Sequence, residues 1–338
     1  MNWITNTDTI IFDSEFNEKL DINLISNYRK IIFSDYELNE KLFESYTNHI
    51  FGGLYYKNGG SKFNQEVSNL PNTITHLNFG SHFNQDVSVL PPSLTDLILK
   101  GHFNQDISFL PPTLTDLTLK GDFNQDVSFL PSTLIFLTFG DKFNQDVSKL
   151  PQSIIYLIFG DKFNQDISKL PQSINYLSFG REFNQDISKL PQSIIHLDLS
   201  SEFNYDLSNL PSSIYFLSLG HFTQKYNIPQ NIKYLNLNCN NQYIIDSLPN
   251  TIIGLDLGYN FNLRMNNLPT SIKILRIYKH SNYNMDLNCL PDYVEELHLN
   301  HSYNKRILYI PQNLKKMVCH KDYPYINDFA SYDVQSYL

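Results

Sequence analysis

The stretch FNQDISKLPQSI spans residues 163–174 and recurs unchanged at 183–194, with a near copy, FNQDVSKLPQSI, at 143–154. A catalytic site has no use for the same dodecamer every twenty residues, whereas a stack of equivalent coils does. Aligned on its repeating prolines, from Pro71 to Pro311, the chain advances in steps of 20 residues, apart from one step of 18 (Pro211 to Pro229) and one of 22 (Pro269 to Pro291). The alignment defines thirteen units. Eight in succession open with Phe-Asn, from Phe63 to Phe203, and later units decay to Phe222-Thr223, Asn241-Gln242, Phe261-Asn262, Tyr283-Asn284 and Tyr303-Asn304.

Within the unit that starts at Phe163 the apolar positions are Phe163, Ile167, Leu170, Ile174, Leu177 and Phe179. The Leu177-x-Phe179 alternation has the period of a short strand with both side chains facing inward. Pro171 bars a helix through the middle of the unit and biases the residue before it to extended geometry. Twenty residues therefore hold a strand of about three to five residues, two turns and an extended return, with no room for a full helix. One unit cannot bury six large apolar side chains, but stacked units can, as one continuous column. The expected fold is all-β: a right-handed parallel β-solenoid with 20-residue coils and little helix.

The pattern L-P-x-S-[IL]-x-x-L-x-[FL]-G, preceded by F-N-Q, resembles the FNIP repeat, a member of the leucine-rich repeat superfamily. It is also similar to the 20-residue leucine-rich repeats of bacterial effectors, which share L-P-x-S-L-x-x-L. The resemblance covers roughly residues 61–320 and implies a binding role. FNIP proteins occur mainly in social amoebae and in the large DNA viruses of amoebae, which agrees with the abundance of Asn, Ile, Tyr, Lys and Phe here. On this reading residues 61–320 are thirteen FNIP-type repeats, 1–60 an N-terminal cap of degenerate repeats, and 321–338 a C-terminal cap or tail. FNEKLDINLISNYRKIIF (16–33) reads as a repeat slipped by one residue, and Tyr36–Tyr56 as a second, longer one. Some viral members of the family carry an N-terminal F-box, a pattern that residues 1–60 match poorly.

Composition narrows the function classes. A net charge of −9 lacks the basic footprint of a nucleic-acid surface. The three cysteines, Cys239, Cys289 and Cys319, are odd in number and far apart, which fits a reducing compartment without a disulfide framework or a CxxC zinc site. No signal peptide and no apolar run of membrane-spanning length is evident. The expected location is cytoplasmic, in the host cytoplasm if the protein is viral.

Several columns could carry chemistry. Asn164 and its equivalents read as buried amides that bond the backbone of adjacent turns. The glycines at the strand exit, among them Gly80, Gly140 and Gly160, shifted by one at Gly101 and Gly121, read as turn residues. The acidic column from Glu66 and Asp86 to Asp206 stacks like charges, which destabilises unless offset. Each carboxylate either caps a local backbone N–H or shares a calcium ion with its neighbour. EELHLNH (295–301) groups His298 and His301 with two glutamates, but Glu296 and His298 point out of a strand while His301 lies in a turn. No nucleotide-binding loop, nucleophile elbow or HExxH motif is present, so catalytic, metal and cofactor sites are all read as none.

The outward strand positions vary where the core positions do not. The middle of one outward column is aromatic: Phe136, Tyr156, Tyr176, His196, Phe216 and Tyr234. Such a stripe is either a cross-strand ladder that stabilises the sheet or a protein-binding patch on its concave face. The leading expectation is a non-enzymatic interaction solenoid that binds a host or self protein through that stripe. The alternatives are a ubiquitin-ligase substrate adaptor with a diverged F-box in residues 1–60, and a structural particle protein. A three-helix bundle in residues 1–60 would favour the adaptor, and strand-like coils would favour the cap.

Overall fold

Every twenty-residue unit in the computed structural model is one turn around an apolar interior. Residues 3–39, 41–48, 59–199, 201–220 and 225–337 are described. The chain forms two compact units, Met1–Ile174 and Asn175–Leu338.

The strands of the first unit are β1 (Trp3–Thr5), β2 (Thr9–Phe12), β3 (Lys30–Phe33), β4 (His76–Asn78), β5 (Asp96–Leu99), β6 (Asp116–Leu119), β7 (Phe136–Phe139) and β8 (Tyr156–Ile158). Those of the second are β9 (Tyr176–Ser178), β10 (His196–Leu199), β11 (Phe216–Leu219), β12 (Tyr234–Leu237), β13 (Gly254–Leu257), β14 (Ile274–Ile277), β15 (Glu296–His298), β16 (Lys316–His320) and β17 (Asp333–Tyr337). From β2 to β8, and again from β9 to β17, each strand pairs in parallel with the next. Among the described residues only β1 runs antiparallel, along β2. Each unit is thus a parallel β-solenoid, as the repeat period requires.

The register stacks like on like. Leu97 lies opposite Leu117, Leu117 opposite Leu137, and Leu177 opposite Leu197. The phenylalanines that open the repeats form a second buried column, with ring centroids 6.1 Å apart from Phe83 to Phe103 and 6.2 Å from Phe103 to Phe123. Phe123 to Phe143 and Phe143 to Phe163 each measure 6.1 Å. Because these rings occupy equivalent places in near-identical coils, that distance is the local displacement from coil to coil. It exceeds the roughly 4.8 Å between paired strands. The coils of the first unit are therefore wedges, narrow at the sheet and wide at the phenylalanine column. The decayed repeats keep the site: Phe261, Tyr283 and Tyr303 are buried in the second unit. Phe222-Thr223 lies outside the described residues.

Polar groups join the coils at three further points. Asn64, Asn84, Asn104, Asn124 and Asn144 each accept, through Oδ1, the backbone N–H of the asparagine one coil on, at 2.9–3.0 Å. The bonding agrees with the sequence reading but the burial does not, since these amides are half-buried or exposed. They sit where the chain turns outside the apolar column, and the bond satisfies an N–H that has no strand partner. The hydroxyl of the L-P-x-[ST] motif donates to a carbonyl of the preceding coil, from Thr113 to Leu94 O at 2.8 Å and from Ser153 to Leu134 O at 2.6 Å. In the acidic column, Asp86, Asp106, Asp126, Asp146, Asp166 and Asp186 each accept the backbone N–H of the serine two residues on, at 2.8–2.9 Å, and that serine's hydroxyl too. These are Asx-turns. The serine hydrogen bonds hold Asp86, Asp106, Asp126, Asp146 and Asp206 below the usual carboxylate range.

The glycines differ from a uniform turn role. Gly101 and Gly121 adopt φ of 62° and 77°, the left-handed region that glycine favours. At Gly160 the constraint is contact, because a Cβ there would stand 2.3 Å from the carbonyl carbon of Gly140.

Residues 16–33 form a coil, as the slipped repeat implies. Phe16 stacks on Phe63 at 6.0 Å, and Asn17 accepts the N–H of Asn64 at 2.9 Å. The extra residue is absorbed by a short helix, α1 (Ile22–Ile25), whose N-cap Asp21 accepts the N–H of Asn23. The second, longer repeat is not a coil in its described part. β3 pairs directly with β4, and Phe63 and Asn64 are already stacked on Phe16 and Asn17, so no coil is inserted between these strands; residues 40 and 49–58 lie outside the described residues. The chain between β3 and β4 carries α2 (Lys41–Asn48), whose Leu42 is buried against Ile11 and Ile32 on the outer face of the first strands. Asp35 ties this insertion to the repeats, accepting from the N–H groups of Ser61 at 2.7 Å and Ser81 at 3.0 Å and pairing with Lys100 at 2.5 Å. After β16 the chain adds a 3-10 turn at Ile326–Phe329 and returns as β17.

Two outcomes test this construction. Leu177 is fully buried, and Leu177→Ala should lower stability by about 2–5 kcal/mol in chemical denaturation; a loss under about half a kcal/mol would mean that the side chain does not face inward. Because each carboxylate of the acidic column is already engaged by its serine, the melting temperature should be the same with and without EDTA. A clear fall with EDTA would show a structural cation in the column.

Candidate functional site

Alternation along each strand aims two columns of side chains out of the sheet. In the first unit Phe136 and Tyr156 stand opposite each other in register, and their rings stack at 4.6 Å and 13°. They are 42% and 40% exposed. Beside them Asp96 lies opposite Asp116, and each carboxylate accepts the hydroxyl of the threonine before it. Burial pushes the Asp116 carboxyl up, and Asp96 adds repulsion. His76 approaches Asp96 at 3.3 Å.

In the second unit Tyr176, His196, Phe216 and Tyr234 occupy successive strands. Centroid distances are 4.5, 5.5 and 4.8 Å along the series. Glycine ends the column: a Cβ at Gly254 would stand 2.4 Å from the Tyr234 ring, so that ring occupies the space a side chain would need. Tyr215 packs on the edge of this ladder, 5.1 Å from Phe216. The stacked faces are consumed by one another, so what the ladder offers outward is chiefly ring edges and the polar tips of Tyr176, His196 and Tyr234.

The second outward column supplies what the sequence reading left out of the site. Asp198 accepts the hydroxyl of Tyr176 at 2.7 Å and lies 3.0 Å from His196 Nε2, which fixes both rings from beneath. Burial would raise the Asp198 carboxyl, but the hydrogen bonds from His196 and Tyr176 outweigh it and hold it below the usual range. A groove of about 460 Å³ is lined by His196, Asp198, Phe216, Tyr234, Asp256 and Arg276. Arg276 lies 3.3 Å from Asp256 and 3.5 Å from Glu296. The signal for Asp198 was in the sequence: a residue two after His196 in a strand shares its face.

The residues of EELHLNH do not converge. Glu295 pairs with Lys273 and Lys315, Glu296 with His298 at 2.5 Å, and His301 instead packs at a tilt on His320 at 3.9 Å. Among the described residues no three His, Cys, Asp or Glu side chains gather into a metal-ligand set. No helix among them is long and apolar enough to cross a membrane. The arrangement offers recognition chemistry: apolar edges, hydroxyls, carboxylates and one guanidinium on a stiff sheet.

The FNIP Repeat family matches seven stretches, some of them overlapping, residues 63–102, 86–122, 103–142, 143–181, 183–222, 223–260 and 241–280, together more than half of the chain. Among solved structures the chain is similar to CroV588 of the giant virus CroV, described as a novel circular LRR protein structure. The two are 30% identical, with a TM-score of 0.71 over 94% of this chain and 48% of that one. The chain thus spans about half the length of CroV588. It also matches the functional domain of InlJ from Listeria monocytogenes, at 15% identity and a TM-score of 0.48 over 92% of this chain and 67% of the other. YopM from Yersinia enterocolitica matches at 17% identity and a TM-score of 0.30, over 75% of each chain. Curated proteins give no match.

Asp198 provides a pH test. Its folded pKa lies below the roughly 3.9 of an unfolded aspartate. Its stabilisation is therefore complete above that value and lost as pH falls through the lower, folded one. Asp198→Asn should cost about 1–2 kcal/mol at neutral pH. The gap between variant and wild type should close as the pH is lowered below about 4. A gap that is constant with pH would mean that the charge on Asp198 does not hold the ladder.

Proposed function

Because the chain belongs to the FNIP repeat family, we propose that it is a non-enzymatic interaction module that holds a protein partner on the outer face of its sheet. The observation that carries this reading is the contrast between columns. Core positions repeat almost unchanged from coil to coil, as packing demands. The outward column changes at nearly every strand, yet turns aromatic over Phe136 and Tyr156 in the first unit and over Tyr176, His196, Phe216 and Tyr234 in the second. Packing does not require large rings there, and they remain partly exposed, Phe216 at 37%. Aromatic side chains at this exposure are the residues that interface hot spots favour.

The wedge shape of the coils in the first unit supports the same face, because side chains on the narrow side of a wedge converge on whatever they touch. Residues 1–60 serve in this reading as an N-terminal cap, supported by the strands of 3–33 and by α2 lying over Ile11 and Ile32. Residues 321–338 serve in the same reading as a C-terminal cap or tail.

Proteins captured by the wild type from a cell lysate should be identified and their affinities measured against Phe136→Ala/Tyr156→Ala and Tyr176→Ala/Phe216→Ala. At least one double variant should lose about 2 kcal/mol or more of binding, roughly thirtyfold, while its unfolding stays cooperative. If both variants retain every captured protein at wild-type affinity, the rings are a structural ladder and the sheet face is not the binding surface.

A further inference from the structure

The most exposed large apolar side chains of the first unit are not on its strands. Val89, Phe109 and Phe129 are 61%, 71% and 65% exposed. They occupy one repeat position, the residue before Leu-Pro, in three successive coils. The core does not need an apolar residue there, since the same position holds Asn69 in the coil before and Lys149 and Lys169 in the two coils after, all exposed. Pro92 and Pro112, three residues further along two of these coils, are exposed as well. The result is a ridge across the first unit, apolar over three coils and cationic over the next two.

The acidic column runs beside this ridge, three residues earlier in each coil. Under the apolar part, Asp86 meets the repulsion of Asp106, and Asp106 that of Asp126, although serine hydrogen bonds hold both carboxyls low. Under the cationic part, Lys149 and Lys169 act on Asp126 and Asp146 with the opposite sign. One end of the ridge is therefore apolar and anionic, and the other carries the lysines.

We propose that this ridge is a self-complementary surface through which two copies of the chain associate about a two-fold axis at Phe129. Rotation about that axis places Phe129 on the partner's Phe129, Phe109 and Asp106 beside the partner's Lys149, and Val89 and Asp86 beside the partner's Lys169. A two-fold interface requires this reciprocity, in which one patch supplies both halves of each contact. The lysine stems cover the apolar side chains while their ammonium groups reach the aspartate row. From Val89 to Lys169 the ridge crosses four coil steps, about 20–24 Å at the strand and core spacings. A strip of that length falls at the low end of specific interfaces, so the dimer is weak and salt-sensitive.

Sedimentation equilibrium of the full chain over a range of micromolar concentrations tests the proposal. The wild type should show a reversible monomer–dimer equilibrium that weakens with added salt. Phe109→Asp/Phe129→Asp should be monomeric throughout with an unchanged melting temperature, since both side chains are exposed. Lys149→Glu/Lys169→Glu should weaken association at least about tenfold, with the loss largest at low salt. Tyr176→Ala/Phe216→Ala, on the sheet face, should dimerise like the wild type, which separates this surface from the proposed partner site. A wild type that stays monomeric, or a dimer that both ridge variants retain, would overturn the proposal.

Discussion

The structure depends on two spacings that have to coexist in one coil. Hydrogen bonding fixes neighbouring strands near 4.8 Å, while the phenylalanine column of the first unit advances by 6.1 Å per coil. At this column each near-parallel ring stands further from its copy in the next coil than a strand stands from its neighbour. The phenylalanines open the far side of each coil, and the hydrogen bonds of Asn Oδ1 to the next coil's N–H span the gap at 2.9–3.0 Å. Ring and amide act as a pair, and the eight intact repeats keep them together: Asn follows Phe in every unit from Phe63 to Phe203. In later coils Phe261, Tyr283 and Tyr303 still fill the column, each again followed by Asn.

The same constraint explains which parts of the fold were legible in the sequence. Positions that meet their own copies must repeat, so period, strand place, core column and Asx-turns could all be read from one unit. The burial of the asparagines could not, because the bond they make looks the same from the sequence whether it lies inside the coil or at its wet margin. The described part of Tyr36–Tyr56, read as a second, longer repeat, departs from a coil for a related reason. Once the chain leaves the stack it no longer meets a copy of itself, and its apolar residues follow α2 and the outer face of β2 and β3 instead. The glycines illustrate a finer limit: all three abut the backbone of the preceding coil, while only Gly101 and Gly121 also take a positive φ, and a sequence prints both cases as the same letter.

For the candidate site, the ladder was visible and its support was not. Phe136, Tyr156, Tyr176, His196, Phe216 and Tyr234 announce themselves as large rings at outward positions. Asp198 sits in the neighbouring outward column among Ser178, Ser218 and Asn236, and only the geometry reveals that it holds Tyr176 and His196 together. A column-by-column reading treats positions within a strand as independent, whereas residues two apart share a face and can bond across the columns.

A stacked-coil protein separates stability from recognition more cleanly than a globular core does. Each coil touches only its neighbours, so a change in the Leu, Phe, Asn or L-P-x-[ST] columns is felt by two interfaces at once and is constrained in both. An outward position in the strand, or the residue before Leu-Pro, has no such obligation. Variation concentrates at these positions, and a run of like character there is either a contact between neighbouring strands or a surface for a partner. Both proposed surfaces rest on that argument: the aromatic run on the sheet face, and the Val89–Phe109–Phe129 run that gives way to Lys149 and Lys169. They occupy different positions of the repeat, the strand and the residue before Leu-Pro, so the substitutions that test one leave the side chains of the other in place.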